Sequence, residues 1–586
     1  MKTFTLLLTL FLAVCTATAQ IIHVPGDQPT IQAGINAASD GDTVLVAENT
    51  YYENINFNGL AITLASVFLM DGDTSHISNT IINGSQSIDP DMGSTVTFDN
   101  GEDTTSILCG FTITGGTGTI IAGTGFKGGG GIFMNGSGGK VVNNYIEYNE
   151  VTNDPSAFGA GVLAGAPIAE SPWIVIRNNR ISYNKVSAVS WAAGAGVEMY
   201  YSMILTGNEI SYNETNGSSG ADGAGVRING GVHVPIELEI RNNSITYNKA
   251  ISNTTTTSIV ISGGMDIFGD CSGTVSGNNI SFNEIGVALG KDSYGTGVMV
   301  EQVTDTGFLF ENNLVTHNTY SGDICLGGGL CIYQSNGTYQ NNVIQNNKGS
   351  QGGGVAVAYN SDKKALLLNN TITGNTADYG GGLYMIDAHT VVINSIIWGN
   401  TAFEGYSIFN DGDILEVRYS DVEGTSPWAG EGNLNFDPGF LVDGYHLSQQ
   451  SLLKDAAISS ITINGSTYES PLTDIDGNTR LGLNNPPDIG ADEIDLYLSS
   501  EMTPGGDDGL AMNIYPNPVD DWVTIIVPDF TNNTSVFLFT PTGQQLMEKM
   551  ISGAKTRLNL STLPPGVYFL RLQNEKTLEG IKMVKN

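Results

Sequence analysis

Seven residues stand where this 586-residue chain could do chemistry: Asp154, Phe158, Trp191, Asp222, Asp292, Tyr294 and Asp323. Each lies in a stretch that interrupts a repeat. Repetition is what structure alone produces, so a functional surface is expected where it breaks. Aromatic faces interspersed with carboxylates suit a sugar, whose ring stacks on the aromatic while its hydroxyls donate to the acids. The plainer alternative is decorative loops that bind nothing. No catalytic residue is assigned. A glycosidase needs two carboxylates facing one groove, and a calcium-dependent lyase needs clustered carboxylates with a Lys or Arg as base. Acids from distant segments can converge, so the sequence neither supplies nor excludes such a pair. His233, His317 and His389 are isolated with no nucleophile motif beside them, which leaves triad chemistry without support.

The elements that must position these residues are announced nine times between Gly128 and Asn400. Each pass opens on glycines followed by an apolar residue: GGGGIF, GAGVLA, GAGVEM, GAGVRI, SGGMDI, GTGVMV, GGGLCI, GGGVAV and GGGLYM. A second phrase of the form N-x-I-x-x-N follows, closing at Asn149, Asn184, Asn213, Asn248, Asn283, Asn318, Asn347, Asn375 and Asn400. Within NYIEYN, Ile146 and Tyr148 share one parity and Glu147 the other, which reads as strand alternation with the apolar pair facing in. Helical spacing is absent from every copy. A long period built from short β phrases and glycine corners predicts a right-handed parallel β-helix, its coils ~4.8 Å apart. The closing asparagines are expected to form an amide ladder along the stack. The residue after each runs Glu150, Lys185, Glu214, Lys249, Glu284. If those positions stack, unlike charges always meet. The aromatics before each closing asparagine (Tyr148, Tyr183, Tyr212, Tyr247, Phe282) are read as an internal stack rather than a sugar platform.

The connections from closing asparagine to next opener are long in the first six coils and short after Asn347 and Asn375. They carry the seven candidate residues and predict a rim of loops along one side.

Composition narrows the partners. With 59 acidic against 23 basic residues the net charge is −36, which argues against nucleic acid and anionic membrane. Polysaccharide or host glycan remains, acidic polymers only if cations intervene. The first 19 residues read as a secretory signal: Lys2, the apolar run Phe4 to Val14, and an A-x-A site at Ala17 to Ala19. No later segment is long enough to span a bilayer. The remaining cysteines, Cys109, Cys271, Cys325 and Cys331, form neither a disulfide framework nor a zinc pattern. Cys325 and Cys331 flank a glycine turn, where pairing and free thiols both stay open. No cofactor or metal is assigned. Calcium is the cation weighed, at Asp71 and Asp73, where a structural Asp-Gly turn is the plainer reading.

Residues 20–495 are read as the β-helix with its caps. Thr30 to Ala38 has helical apolar spacing behind a Thr cap, and a short helix there would cover the open end of the solenoid. This opening resembles that of the pectin-lyase-like superfamily of β-helices; the resemblance covers fold and cap and carries no catalytic residue with it. Past Asn400, DPGF (437–440), YHLS (445–448), DIDGNTR (474–480) and DIGADE (488–493) resemble the closing segment of bacterial surface β-helix proteins. DIDGNTR lacks calcium-loop spacing and is read as a capping turn. Residues 496–510 form a linker. Residues 511–586 then alternate as five or more short strands, which predicts a small β-sandwich. NIYPNPVDDWVTI, PPGVYFLRL and GIKMVKN closely resemble the type A C-terminal sorting domain of type IX secretion cargo in Bacteroidota. That resemblance implies handling by the type IX translocon and a secreted or surface location. The whole is read as an all-β monomer that binds glycan without catalysis, with a polysaccharide lyase or hydrolase, or a structural stalk, as alternatives.

Overall fold

In the computed structural model, the described residues are 19–494, apart from 154, 166–172, 232–234, 253–258, 288–291 and 481–485, together with most of 513–585. Residues 1–18 of the segment read as a secretory signal, and the stretch read as a linker, lie outside them. Two compact units divide between Ile494 and Asp495.

The first unit is a parallel β-helix. Each coil contributes one strand to each of three faces. In one coil these are Ile174–Arg177 on face A, Arg180–Ser182 on face B and Val197–Met199 on face C. Among the described residues the faces hold 14, 13 and 12 parallel strands. Inward side chains are almost entirely aliphatic or aromatic, and one apolar core runs from Val24 to Val422. Helix α1 (Ile31–Ala37) closes the first end, with Ile31 and Ile35 fully buried against the core. Its free amides are met by Thr30 Oγ1, which accepts from Ala33, and by the Glu53 carboxylate, which accepts from Ile31 and Gln32.

Two asparagine ladders hold the A–B and B–wing corners. The expected one runs unbroken from Asn149 to Asn400, each Nδ2 donating to the next Oδ1 at 2.9–3.1 Å. A second uses the opening asparagine of each phrase, from Asn144 through Asn208 to Asn370, where serines Ser395 and Ser420 take over. Each amide also reaches back one coil: Asn213 Nδ2 donates to the Ile181 carbonyl at 2.9 Å.

Two expectations need correction. Tyr148 and its counterparts do not face in. They adopt left-handed backbone (φ 56–58°), which turns the chain and throws the ring outward. The rings do stack on one another, about 5 Å apart and nearly parallel from Tyr148 to Phe282, but on the surface. The connections of the first six coils are not loops. They form a wing of two parallel sheets, the outgoing one of strands such as Lys185–Ala188 and the returning one of strands such as Trp191–Ala193. Small residues (Val151, Ala157, Val186, Ala192) fill the gap between them. The alternating charges do stack in register on the outgoing sheet, with Lys185 and Lys249 ion-paired to Glu214 and Glu284.

The closing segment lies along the A–B corner of the last coils. DIDGNTR is a turn: Asp474 accepts from the amides of Asp476 and Asn478. Arg480 is buried and donates to Glu493, to the Gly490 carbonyl and to Asn341 of the solenoid. All four described cysteines are free and buried.

The second unit is a small sandwich of a three-stranded and a four-stranded antiparallel sheet. Val523, Ile525 and Leu558 of one sheet meet Val536, Leu538, Leu570 and Leu572 of the other. The sequence-predicted strands are present, joined by Asn513–Tyr515 and Leu578–Lys585.

Candidate functional site

The returning wing sheet and face C meet at the opener's first glycine, where left-handed backbone is required (Gly194 φ 58°, Gly223 φ 43°). A Cβ at Gly194 would fall within 2.6 Å of the Glu198 side chain. This corner sets the outward side chains of both sheets against each other. Along most of the stack the row on face C is apolar: Phe133, Leu163, Met299, Cys331, Ala356, Tyr384. In three successive coils it reads Glu198, Arg227, Asp266.

These three, with Asp222 from the wing, form a buried charged cluster. Arg227 Nη1 donates to Glu198 Oε1 at 2.7 Å, and its Nε lies 3.1 Å from Asp222 Oδ2 and 3.4 Å from Asp266 Oδ2. The acids are 0–1 % exposed and the arginine side chain 12 %. Among the described residues one oxygen each of Asp222 and Asp266 makes no hydrogen bond, while the Tyr200 side chain also reaches Glu198. Burial pushes all three carboxyls above the usual range and Arg227 opposes it, while repulsion from neighbouring acids adds to the rise at Asp222 and Asp266. Burial works against the Arg227 charge, but the surrounding acids outweigh it and hold the guanidinium charged. Trp191 donates from Nε1 to Asp222 Oδ2 at 3.2 Å. Glu301 is partly buried two residues beyond Met299, and desolvation raises its carboxyl too.

Beyond the cluster, where the face C strands end, an open cleft of about 440 Å³ crosses successive coils. Phe268, Asp270, Gln302, Thr304, Tyr359 and Lys363 line it. Phe268 joins cleft to cluster, being two residues past Asp266 and the strand partner of Glu301.

The seven sequence-selected residues divide accordingly. Trp191 and Asp222 come together in the cluster. Phe158 is buried in an aromatic patch farther along the same corner, edge-on to Phe126. Tyr294 is half-buried on the other side of the charged coils, edge-on to Tyr333. Asp292 and Asp323 are exposed at the wing's edge, away from the cluster. Asp154 lies outside the described residues. Glu198, Arg227, Asp266 and Glu301 were missed, although the signal was in plain view. The residue after each opener's first apolar position runs Phe, Leu, Glu, Arg, Asp, Met, Cys, Ala, Tyr, and three adjacent charges interrupt it.

Residues 513–586 match the secretion system C-terminal sorting domain family. The chain is therefore a type IX secretion cargo, exported to the cell surface or released. None of the curated proteins matches the chain. Among the described residues no helix is long and apolar enough to cross a membrane.

Proposed function

We propose that this type IX cargo holds an extended glycan along the corner between its wing and face C, without cleaving it. The observation that carries the reading is the break in the repeat: three consecutive coils exchange apolar corner residues for Glu198, Arg227 and Asp266. Trp191 donates to Asp222 beside them, and Phe268 links their row to a polar cleft with Tyr359 in its wall. An elongated cleft crossing stacked coils favours a linear polymer over a compact ligand. The excess of acid favours a neutral or cation-bridged glycan over a polyanion.

The test is binding of the mature chain to a panel of neutral, acidic and amine-bearing polysaccharides, with and without calcium. The native chain should retain at least one, and Trp191→Ala and Tyr359→Ala should each weaken it at least tenfold with the fold intact. Absence of binding throughout would leave the stalk reading in its place.

A second reading, a polysaccharide lyase or hydrolase, draws on the same cluster. Carboxyls raised by burial beside an arginine could supply the acid of an acid–base pair. New reducing ends or unsaturated products on prolonged incubation would favour it over simple binding.

A further inference from the structure

The closing segment brings together three stretches that the glycan reading does not use. His446 sits between them. Its Nδ1 lies 2.6 Å from Asp443 Oδ2, and Asp443 Oδ1 in turn accepts from the amides of Tyr445 and His446. On the ring's other side, Nε2 faces Asp476 Oδ2 at 2.6 Å and Asp492 Oδ1 at 4.0 Å. His446, Asp476 and Asp492 each offer one ligand atom, and these lie within 4.8 Å of one another. The Asp492 side chain is 6 % exposed; Oδ2 accepts from the Leu447 amide at 2.7 Å. Its Oδ1 is the oxygen turned toward His446.

We propose that His446 Nε2, Asp476 and Asp492 bind a divalent first-row transition cation, zinc foremost. Two features set this arrangement apart from an acidic turn. A ligating histidine ordinarily has its second ring nitrogen fixed by a carboxylate, and Asp443 is already in that place. The Asp492 side chain is nearly buried, held through Oδ2 by the Leu447 amide, and keeps Oδ1 turned to the His446 ring, so a fixed oxygen ligand already faces the site. One imidazole and two carboxylates suit zinc or manganese, whereas calcium prefers six to eight oxygens. The bound cation would tie the chain at residue 446 to residues 476 and 492 and so brace the closing segment against the solenoid.

His76 provides an internal control. It is also flanked by acids, Glu48 at 2.6 Å and Asp71 at 3.2 Å, but each nitrogen faces a single carboxylate. The experiment is calorimetric titration of chelator-treated full-length mature chain with zinc, manganese and calcium, with thermal melts in parallel. One zinc per chain is expected, with a higher melting temperature and calcium at least 100-fold weaker. Asp476→Asn, at a 46 % exposed side chain that the fold tolerates, should weaken zinc at least 100-fold. Asp443→Asn should weaken it by ~10–100-fold, and His76→Ala should leave it unchanged. Failure to take up zinc, equal uptake by Asp476→Asn, or calcium binding as tight as zinc would each overturn the site.

Discussion

At the scale of single residues, the corner asparagines and the charged cluster stand at opposite extremes. The asparagines are polar, buried and fully engaged. Asn213 Oδ1 accepts from both the backbone and the side-chain nitrogen of Asn184, at 3.0 Å each. Asn213→Leu would strand those two donors and the Ile181 carbonyl, at ~1–3 kcal/mol for each group left without a partner. Asn216 lies on a wing strand rather than in a loop and is half-buried. Asn216→Leu should stay within ~0.5 kcal/mol. Thermal melts of the two variants check the ladder, and equal stability would remove it. The cluster is polar, buried and left partly unmet. Burial raises the Asp222 carboxyl to about 7 in the fold, where it faces Arg227, Glu198, Asp266, Glu301 and Trp191. A carboxyl raised on folding binds its proton more tightly in the native state. Its stabilising contribution is complete below the unfolded value near 3.9 and is lost as pH rises through the folded value. Asp222→Asn should therefore flatten the fall in melting temperature between pH 5 and pH 8. An unchanged profile would mean that Asp222 is ionised throughout.

At the scale of elements, the wing is an addition to the solenoid rather than part of its core. Its two sheets enclose a layer of valine and alanine separate from the main column. Val186→Asp would bury a lone carboxylate in that layer, several kcal/mol of local damage. In a stack where each coil contacts only its neighbours, the effect should stay in the wing. Limited proteolysis should cut near Val189, in the turn between the wing strands, while the main transition moves little. Val141→Asp, in the central column, should lower the main transition instead. Equal effects from the two would show the wing and column to be one cooperative unit.

At the scale of the whole molecule, the sorting domain is a separate sandwich with its own core. Deleting 511–586 should leave the β-helix in the periplasm, checked by fractionation. Normal external levels of the truncated protein would contradict export through that domain. The strong negative charge sets the outer character of the molecule and is consistent with a surface that stays soluble and avoids polyanions.

The sequence alone determined what repeats. Period, glycine corners, the first asparagine ladder, the alternating charges after it and the C-terminal sorting domain all follow from a local pattern copied many times. Any single copy states the rule. Tertiary structure decided what stacking brings together across coils. Tyr148 and Ile146 share a parity, yet a left-handed residue sends one ring outward and leaves the other side chain inside. Trp191 and Asp222 were legible as interruptions, but Glu198, Arg227 and Asp266 become a cluster only because three coils fall into register against one wing. His446, Asp476 and Asp492 belong to no repeat. Their meeting depends on how an irregular segment folds back on itself, and no spacing in the chain specifies that.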